Sequence, residues 1–540
     1  MPTGGRTKQA VLALDAGTSG TRAALVARDG AVLAVAYRPL SVRCTPSGAA
    51  EQDGCEVWAA TLEAARQVVA HADDERVELV ALGLCAQRAS AVLWRRDDGR
   101  PVVPIGLWQD RRLSAELAHL ESRWGRRLTL RTGRWSATWS PFLWAARQLE
   151  QPEVAAGQRA AALVFGTVGS WLAFRLSGGA QHAIAASDAS ATGGYLLAEH
   201  DWYLAWLDAL GFPASLLPPL QDDGTCVGET DPLLFGRRLP VYSALGDQQA
   251  AALGAGLDGE EALCVHGTGS FVSAPVPEAP RPETIGHLPG LTTVVTLRRD
   301  GCSRLAQEAF CPATGAALGW LCHTVGLFSS EEEIDALAAS CDDSGGVRFV
   351  PALAGTRVPL LDAAATGSFA GLRLSTSRAD LARATLEGIA QAVCDALEAL
   401  EAARGGPLAR LVAGGGLARS DPLLQIQADL LGIPVRRLEH GSLAGVRGAA
   451  AIAGSASGRW PEGGGQPGVA EGSGRAGEDL VFVPSTSRAW RAERRAAWGV
   501  GKLDGADGGA FGPAGVSGPA GVSGPAGVLG PAGVSGARRL

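Results

Sequence analysis

Short apolar runs alternate with tight turns and amphipathic stretches along the first part of the chain. Apolar residues occupy most of 11–15, which ends on a carboxylate, and two further runs follow at 23–27 and 31–37. Runs of this length joined by tight turns predict a three-stranded meander. A helical period over 57–70 and a run over 79–85 then predict a helix and a fourth strand. Such alternation is typical of α/β architecture.

The same pattern returns in the second half of the chain. Residues 263–272 again give a run, a Gly/Thr turn and a run, about 250 positions after the first. We therefore predict two similar halves that face one another. Residues 377–380 form a capping box before a long amphipathic helix, and Gly405 follows its end. Residues 411–416 predict a strand that runs into a glycine turn.

Helix-start residues and late apolar segments extend this prediction toward the C-terminus. Asp421 and Pro422 are the predicted N-cap and first-turn residues of a helix over 423–431. Further on, the strand-like segment 481–484 and the helix-like segment 487–498 are expected to dock back on the fold.

Composition suggests where the domains begin and end. The repeat about 250 residues along the chain predicts an N-terminal unit over 8–250 and a C-terminal unit over 251–500. Residues 455–477 are rich in Gly, Ser, Pro and Glu, which predicts a mobile surface insertion. Glycine recurs at every third position over 512–536, and we interpret 501–540 as a disordered tail.

The overall composition excludes several classes of protein. The chain has 540 residues, 46% apolar and 19% charged, with a formal net charge of -7. This charge argues against nucleic acid as a partner. No apolar run approaches the roughly 18 residues of a membrane span, and no signal peptide is visible. Ten scattered cysteines without a C-x-x-C pair favour a reduced, cytoplasmic protein without a zinc site. Homo-oligomerisation stays open.

Lysine is almost absent from the chain. Only Lys8 and Lys502 occur among its 48 basic residues, and neither lies in a G-x-x-x-x-G-K-[ST] motif. A P-loop NTPase is therefore excluded, and lysine-dependent protein kinases and Schiff-base enzymes are disfavoured. Any phosphate group must be bound by backbone N–H groups, arginine or a metal ion.

Two glycine turns and a carboxylate indicate phosphate chemistry. Asp15 ends a predicted strand just before the Gly/Thr/Ser turn at 16–21, where amides and hydroxyls are free to bind phosphate oxygens. The turn at 267–269 repeats this pattern in the second half. Asp247 follows another apolar segment, where it is placed to accept a proton from a substrate hydroxyl. Each motif alone also fits an ordinary turn.

An arginine and a tryptophan at strand ends suit a polyhydroxyl ligand. Arg88 and Trp108 each follow a predicted strand. Guanidinium donors match hydroxyl groups, and the C–H face of a polyol packs on an aromatic ring. Taken singly, they also fit a surface arginine and a core tryptophan.

In this order, the motifs resemble the FGGY family of carbohydrate kinases, and within it the glycerol kinases. The resemblance runs from about residue 11 to 498. The matching segments are 14–18, 87–88, 108–111, 165–167, 246–250, 267–269, 367–387 and 414–416. The resemblance implies two ribonuclease-H-like (actin-like) domains with an interdomain cleft, which close on ATP, Mg²⁺ and a polyol or sugar. It also implies that the unit over 8–250 carries the substrate and phosphate side and that the unit over 251–500 carries the nucleotide side.

The resemblance also implies roles for particular residues. Asp247 would be the catalytic base and Asp15 would hold Mg²⁺. The residues implied to face the phosphates are Thr18, Ser19, Gly20 and Arg22. Those implied on the nucleotide side are Gly267, Thr268, Gly315, Gly415 and Arg419. Those implied to shape the substrate pocket are Arg88, Trp108, Trp139, Asp247, Gln248 and Phe271.

Several positions depart from the glycerol kinase pattern. Ala89 stands where these kinases have a glutamate, and Trp139 stands where they have a tyrosine. The departures elsewhere are Gly319, Thr366 and Arg419. Losing a partner for a buried hydroxyl costs about 1–3 kcal/mol, which is enough to shift substrate preference.

The expected activity is ATP-dependent phosphorylation of a hydroxyl on a small polyol or sugar, with glycerol, giving glycerol 3-phosphate, as the first candidate. The alternatives are a kinase of another polyol or ketose such as xylulose, and a non-catalytic homologue that binds nucleotide or polyol. A nicotinamide oxidoreductase is disfavoured, because the glycines at 414–416 lack the further glycine and the acidic residue of a dinucleotide site.

Overall fold

The computed structural model describes residues 8–134, 138–257, 259–276, 290–359, 361–362, 364–461 and 480–503. The strands are β1 (Gln9–Ala16), β2 (Gly20–Ala27), β3 (Val32–Pro39), β4 (Arg43–Cys44), β5 (Ala50–Gln52), β6 (Glu78–Ala86), β7 (Ala91–Arg95), β8 (Ile105–Gly106), β9 (Leu163–Thr167), β10 (Ile184–Ala185), β11 (Tyr195–Leu196), β12 (Asp201–Trp202), β13 (Leu220–Gln221), β14 (Cys226–Glu229), β15 (Pro240–Tyr242), β16 (Leu245–Gly246), β17 (Glu261–His266), β18 (Ser270–Pro275), β19 (Leu291–Arg299), β20 (Cys302–Cys311), β21 (Arg348–Val350), β22 (Ser368–Ala370), β23 (Arg410–Gly415), β24 (Val435–Arg437) and β25 (Val481–Phe482).

The α-helices are α1 (Gly54–Asp74), α2 (Ser114–Thr132), α3 (Pro141–Gln148), α4 (Pro152–Arg159), α5 (Val168–Leu176), α6 (Ala186–Ser190), α7 (Leu204–Ala209), α8 (Pro232–Phe235), α9 (Asp247–Gly254), α10 (Gly315–Gly319), α11 (Glu331–Ala339), α12 (Arg378–Arg404), α13 (Asp421–Leu431), α14 (Ala444–Ala456) and α15 (Arg488–Leu503). Short 3₁₀ turns lie at Ala214–Leu216, Leu417–Arg419 and Gly441–Leu443, and a π-helical turn lies at Trp320–Thr324. None of the helices in the described ranges is long and apolar enough to cross a bilayer.

The first half is built on a seven-stranded sheet with the path β14-β15-β6-β1-β2-β3, and β16 also pairs with β6. The predicted meander is confirmed, because β1, β2 and β3 are antiparallel neighbours and β6 runs parallel to β1. Both faces of β1 are buried. Leu12 and Leu14 pack in the cluster that contains α1, whereas Val11 and Ala13 pack with α14. Burial on both faces explains the uninterrupted apolar run.

The second half repeats this arrangement. Its seven strands follow the order β19-β20-β18-β17-β23-β24-β25, with β17, β18 and β20 antiparallel and β23 parallel to β17. The long helix α12 packs on this sheet as α1 packs on the first. The predicted pair of similar halves, each with a ribonuclease-H-like sheet, is therefore confirmed.

Helix α12 begins and ends where the sequence indicated, but α13 does not begin at its predicted cap. Ser377 forms the capping box of α12, and Gly405 ends it with φ 74°. For α13 the predicted N-cap Asp421 is wrong, because Ser420 has the extended backbone of a cap and its hydroxyl accepts a hydrogen bond from the Leu423 N–H at 3.2 Å. Asp421 is already helical, and its carboxylate pairs with Arg437 instead.

The C-terminal elements return to both sheets. Helix α14 continues through the first two residues of the predicted insertion, and Trp460 is buried against the first sheet. The remainder of that insertion, from 462, and the predicted tail, from 504, lie outside the described residues. The predicted docking of the last segments is confirmed, because β25 pairs with β24 and the Trp498 indole donates to Asp395 at 3.0 Å.

Two helices cross between the halves and touch closely. A Cβ on Gly254 of α9 would lie 1.9 Å from the Ala444 carbonyl oxygen, and a Cβ on Gly448 of α14 would lie 1.9 Å from the Ala250 carbonyl oxygen. Only glycine allows backbones to approach this far. Helix α9 leads from the first sheet to the second and α14 returns, so this contact joins the two halves.

Candidate active site

Strand register brings the two predicted aspartates to one edge of the first sheet. Strand β6 lies between β1 and β16 and runs parallel to both. Asp15 and Leu245 both pair with Cys85 on β6, one on each side. Asp247 comes two residues after Leu245, as the first residue of α9. Ligands of α/β sheets bind at such carboxyl ends.

Asp15 is a largely buried carboxylate with one cationic neighbour. Its Oδ2 lies 3.5 Å from Arg22 Nη1 on the adjacent strand. Burial raises the pKa of Asp15, while the Arg22 charge and a hydrogen bond from the Cys85 thiol oppose that rise. Helix α14 closes the other side, since a Cβ on Gly445 would lie only 3.2 Å from Asp15 Oδ2.

Asp247 is held at the start of α9 in a position to accept a proton. Its Oδ1 accepts a hydrogen bond from the Gln248 N–H at 2.8 Å and lies 3.4 Å from Arg88 Nε. Burial raises the pKa of Asp247 to about 6, although Arg88 opposes the rise, and the charge of Asp15 raises it further. The carboxylate is therefore mostly ionised at pH 7 and close to the pKa that suits a general base.

Arg88 links the aspartate to the other half of the molecule. Its Nη1 donates to both carboxylate oxygens of Glu308, at 2.8 and 3.0 Å. Glu308 lies on β20, is buried, and was not predicted as a site residue. The available indication was that Gln307 and Glu308 lie between the apolar residues 305–306 and 309–310 of β20. The partner of Glu308, 220 residues away, was not readable from the sequence.

Thr18 is enclosed by polar side chains from three segments. Its hydroxyl donates to Gln87 Oε1 at 3.0 Å and accepts from the Trp108 indole N–H at 3.0 Å. Gln52 donates to the Thr18 carbonyl at 2.8 Å. These bonds fix the first glycine turn beside Trp108. The contact of Thr18 with phosphate stays a prediction.

The rest of the first turn is shaped by Tyr37. The Tyr37 hydroxyl donates to the Ser19 carbonyl at 3.0 Å, and a Cβ on Gly20 would lie 2.2 Å from that hydroxyl oxygen. The Arg22 guanidinium lies 5.3 Å from the Tyr37 ring centre. A side chain at position 20 would therefore displace the Tyr37 ring from the turn.

An aromatic wall joins the two halves next to Arg88. Phe271 on β18 lies 6.4 Å from Trp108, edge to face, and 5.8 Å from the Arg88 guanidinium. Phe310 on β20 stacks on Phe271 at 4.3 Å. Trp139 is buried nearby, but its indole N–H donates to the Ala89 carbonyl at 2.7 Å. That donor is already used within the protein.

The predicted nucleotide-side residues cluster at the matching edge of the second sheet. Gly267 closes the β17–β18 hairpin by donating to Gly269 at 2.9 Å, and Ala316 donates to the Thr268 carbonyl at 2.9 Å. A Cβ on Gly315 would lie 2.4 Å from the Gly267 carbonyl oxygen.

The glycine turn after β23 completes that edge. Gly415 has φ 88°, and a Cβ there would lie 2.2 Å from the His266 carbonyl oxygen. Arg419 is exposed two residues beyond Leu417, where its Nε donates to the Gly416 carbonyl at 3.3 Å. The structure thus brings all the predicted nucleotide-side residues to one end of the sheet.

Asp188 is a buried carboxylate beside the site that the sequence did not indicate. It accepts a hydrogen bond from the Thr167 hydroxyl, while its Oδ1 has no partner among the described residues. Burial raises the pKa of Asp188 to about 7, and the charge of Asp247 adds to that rise. Asp188 is therefore a second titratable group within electrostatic reach of Asp247.

Carboxylates at strand ends in one half, with glycine turns in both halves, are typical of the actin-like class of ATPases and sugar kinases. Sequence profiles of the FGGY family of carbohydrate kinases match the chain, the N-terminal domain over 10–254 and the C-terminal domain over 262–457. The chain belongs to the FGGY family of carbohydrate kinases.

Individual proteins agree with this assignment. The chain is 39% identical over 433 residues to a glycerol kinase of Thermus brockianus, a match that covers 79% of this chain and 86% of that protein. A xylulose kinase structure from Rhodospirillum rubrum is 26% identical, with a TM-score of 0.75 and coverage of 92% and 98%. The structure of Plasmodium falciparum glycerol kinase with ADP gives a TM-score of 0.82 at 22% identity and the same coverage, which bears on the fold.

Proposed function

We propose that the protein transfers the γ-phosphoryl group of ATP to a hydroxyl of a small polyol, with glycerol, giving glycerol 3-phosphate, as the first candidate. The observation that carries this proposal is the pair Asp15 and Asp247 on either side of β6. Similarity to curated glycerol kinases supports glycerol. The resemblance to a kinase structure with ADP is consistent with a nucleotide donor.

Asp247 acts as the general base in this proposal. The substrate hydroxyl lies against its carboxylate, and the hydroxyl oxygen attacks the γ-phosphorus in line as the bond from that phosphorus to the ADP oxygen breaks. The proton of the hydroxyl moves to Asp247. Arg88 is held by Glu308 and orients both the carboxylate and the substrate.

The glycine turns bind the nucleotide. Backbone N–H groups near Gly267, Thr268, Gly315 and Gly415 approach the phosphates and the nucleoside, because no Cβ intervenes. On the acceptor side, Ser19, Gly20 and Arg22 border the γ-phosphate. No lysine takes part, in agreement with the composition of the chain.

The residues present fit a magnesium ion. Mg²⁺ keeps several waters and binds through one or two carboxylates together with the phosphates of the nucleotide. No group of three or more acidic, histidine or cysteine side chains able to hold a metal occurs in the described part of the chain. Asp15, with Asp247 nearby, would therefore hold the ion jointly with ATP. The chemistry that Mg²⁺ would supply at this place is neutralisation of charge on the transferring phosphoryl group.

The substrate lies against the aromatic wall in this proposal. Trp108 and Phe271 contact the carbon skeleton, Arg88 and Gln248 bind hydroxyls, and Trp139 supports the pocket from behind. We keep the cytoplasm as the expected location.

The decisive experiment is a screen for ADP release with ATP and Mg²⁺ against glycerol, other polyols and ketoses. Glycerol-dependent ADP release at multiple turnovers supports the proposal. Turnover with a ketose alone favours the other kinase, and calorimetric binding of ATP without any product favours a non-catalytic protein.

A further inference from the structure

A buried chain of polar side chains lies next to the glycine turns of the second half. His266 ends β17, and its Nδ1 lies 2.8 Å from Ser270 Oγ on β18. The Ser270 hydroxyl in turn lies 2.7 Å from Thr314 Oγ1. We call these three residues the polar chain, and none of them is more than 1% exposed. Because water does not reach these groups, their hydrogen bonds are strong and hold the side chains in fixed positions.

The hydrogen bonds of the polar chain run in one direction. Burial lowers the pKa of His266 to about 4, so the imidazole is neutral and has one donor and one acceptor nitrogen. Its Nε2 accepts from the side-chain amide of Gln427 on α13 at 3.2 Å, and the Cys264 thiol lies 3.3 Å from the same nitrogen. Nδ1 therefore carries the proton and donates to Ser270, and the Ser270 hydroxyl donates to Thr314.

The polar chain meets every segment that the proposed function assigns to the nucleotide. The turn at 267–269 follows His266 directly, and Thr314 directly precedes Gly315. The turn after β23 is joined through the main chain, because the His266 carbonyl accepts from the Gly416 N–H at 2.8 Å. Three segments that are far apart in sequence are thus tied to one buried histidine.

Thr314 uses its hydroxyl for the polar chain and not for its own helix. A threonine before a helix usually accepts a hydrogen bond from a backbone N–H of the first helical turn. Thr314 makes no such bond at the start of α10, and its hydroxyl is bound to Ser270 instead. The next residue, Gly315, stands so close to the glycine turn that a Cβ there would lie 2.4 Å from the Gly267 carbonyl oxygen. The orientation of Thr314 therefore fixes how closely α10 approaches the turn at 267–269.

We infer that His266, Ser270 and Thr314 are positioning residues for nucleotide binding, because the polar chain sets the distance between the turn at 267–269 and the start of α10. This inference rests on the phosphotransfer proposed above, in which the nucleotide binds the N–H groups of both segments. The three side chains are buried, so they act through the backbone of those segments. A displacement of about 1 Å costs up to about 10²-fold, and the loss is expected in nucleotide binding and not in acceptor binding.

The first test compares two substitutions of Thr314. Thr314→Val removes the hydroxyl at nearly the same volume, whereas Thr314→Ser keeps the hydroxyl. For Thr314→Val we expect KM for ATP, and Kd for ADP measured by calorimetry, to rise about tenfold. Its kcat and its KM for the acceptor should stay within about threefold of the wild-type values. Thr314→Ser should stay within about threefold of the wild type in all four constants.

Two further variants separate positioning from stability. Ser270→Ala removes the hydroxyl that holds both neighbours, so its effect on the two nucleotide constants should exceed that of Thr314→Val. Thr230→Val is the matched control at the edge of the first sheet, where the buried Thr230 hydroxyl donates to the Arg237 carbonyl at 3.1 Å and accepts from the Leu239 N–H at 3.0 Å. This control should lower the melting temperature as Thr314→Val does, but leave KM for ATP unchanged.

Three results would overturn the inference. The first is wild-type ADP affinity in both Thr314→Val and Ser270→Ala, which would leave the polar chain a purely structural role. The second is an equal rise in KM for ATP and for the acceptor. The third is a loss in Thr314→Ser as large as that in Thr314→Val, which would assign the effect to the methyl group. If no acceptor is phosphorylated, the proposed function fails, but ADP calorimetry still decides the inference: weaker binding by Thr314→Val than by Thr230→Val supports it, whereas equal binding, or no binding to the wild type, contradicts it.

Discussion

The two halves share a strand order but differ in what stands at the ends of their central strands. In the first half Asp15 is the next-to-last residue of β1 and pairs with Arg22 on β2. In the second half β17 ends on the neutral His266, which bonds to Ser270 on β18. Burial lowers the pKa of His266 to about 4, so this side chain stays uncharged near pH 7.

The two halves therefore use the same kind of sheet for different chemical tasks. Two carboxylates next to β6 suit proton transfer and a metal ion, whereas an uncharged strand end with glycine turns suits close approach of a nucleotide. Chemistry thus depends on a few strand-end residues, while the sheet itself only fixes where they lie.

The largest effect is expected from a substitution that removes a carboxylate of the first half and leaves the glycine turns unchanged. Asp247→Asn should lower kcat about 10³-fold, because the hydroxyl proton loses its acceptor. Nucleotide affinity, measured by calorimetry, should stay within about threefold. Asp208→Asn, at an exposed position on α7, serves as the control. Wild-type turnover by Asp247→Asn would remove this residue from the base role.

The glycine side is tested by Gly315→Ala. A Cβ there would lie 2.4 Å from the Gly267 carbonyl oxygen, so the β17–β18 turn has to move. A displacement of about 1 Å costs up to about 10²-fold, and we expect it in KM for ATP with KM for the acceptor nearly unchanged. Gly406→Ala has open space around the new methyl group and should change neither constant. An equal rise in both KM values would contradict the division of tasks.

The link between the halves is tested by Gly448→Ala. The methyl group would overlap the Ala250 carbonyl oxygen, and overpacking of this kind costs about 1–3 kcal/mol of unfolding free energy. Alanine also stabilises a helix by about 1 kcal/mol relative to glycine. Gly319→Ala is therefore the matched control, because a methyl group at this position of α10 lies in open space. In chemical denaturation, the free energy of unfolding should fall for Gly448→Ala and rise for Gly319→Ala. If both variants were stabilised, α9 and α14 could move apart without loss of unfolding free energy, which would contradict the prediction.

The smallest expected effect comes from pH. Because the pKa of Asp247 is about 6 and the base must be ionised, kcat/KM should be level above pH 7 and about tenfold lower at pH 5 than at the plateau. Unfolding would not explain the fall, since a carboxyl whose folded pKa exceeds its unfolded value of 3.8 adds stability as the pH drops through 6. If kcat/KM instead fell with a pKa near 7, and Asp188→Asn removed that fall, the titrating group would be Asp188.

Local patterns were enough for the elements that carry the site. The apolar run before Asp15, the turn at 267–269 and the capping box at Ser377 each predicted the observed structure. The N-cap of α13 was missed because Ser420 and Asp421 are both good capping residues. Backbone geometry, which neighbouring contacts decide, selects between them.

By itself, the sequence determined the repeated α/β pattern, the strand-end aspartates and the absence of lysine from the site, because periodicity and residue type act over short distances along the chain. Only the tertiary structure decided that Arg88 meets Glu308 and that α14 returns to the first sheet. Such pairings join residues far apart in sequence, and they depend on strand register and helix packing, which no local pattern encodes.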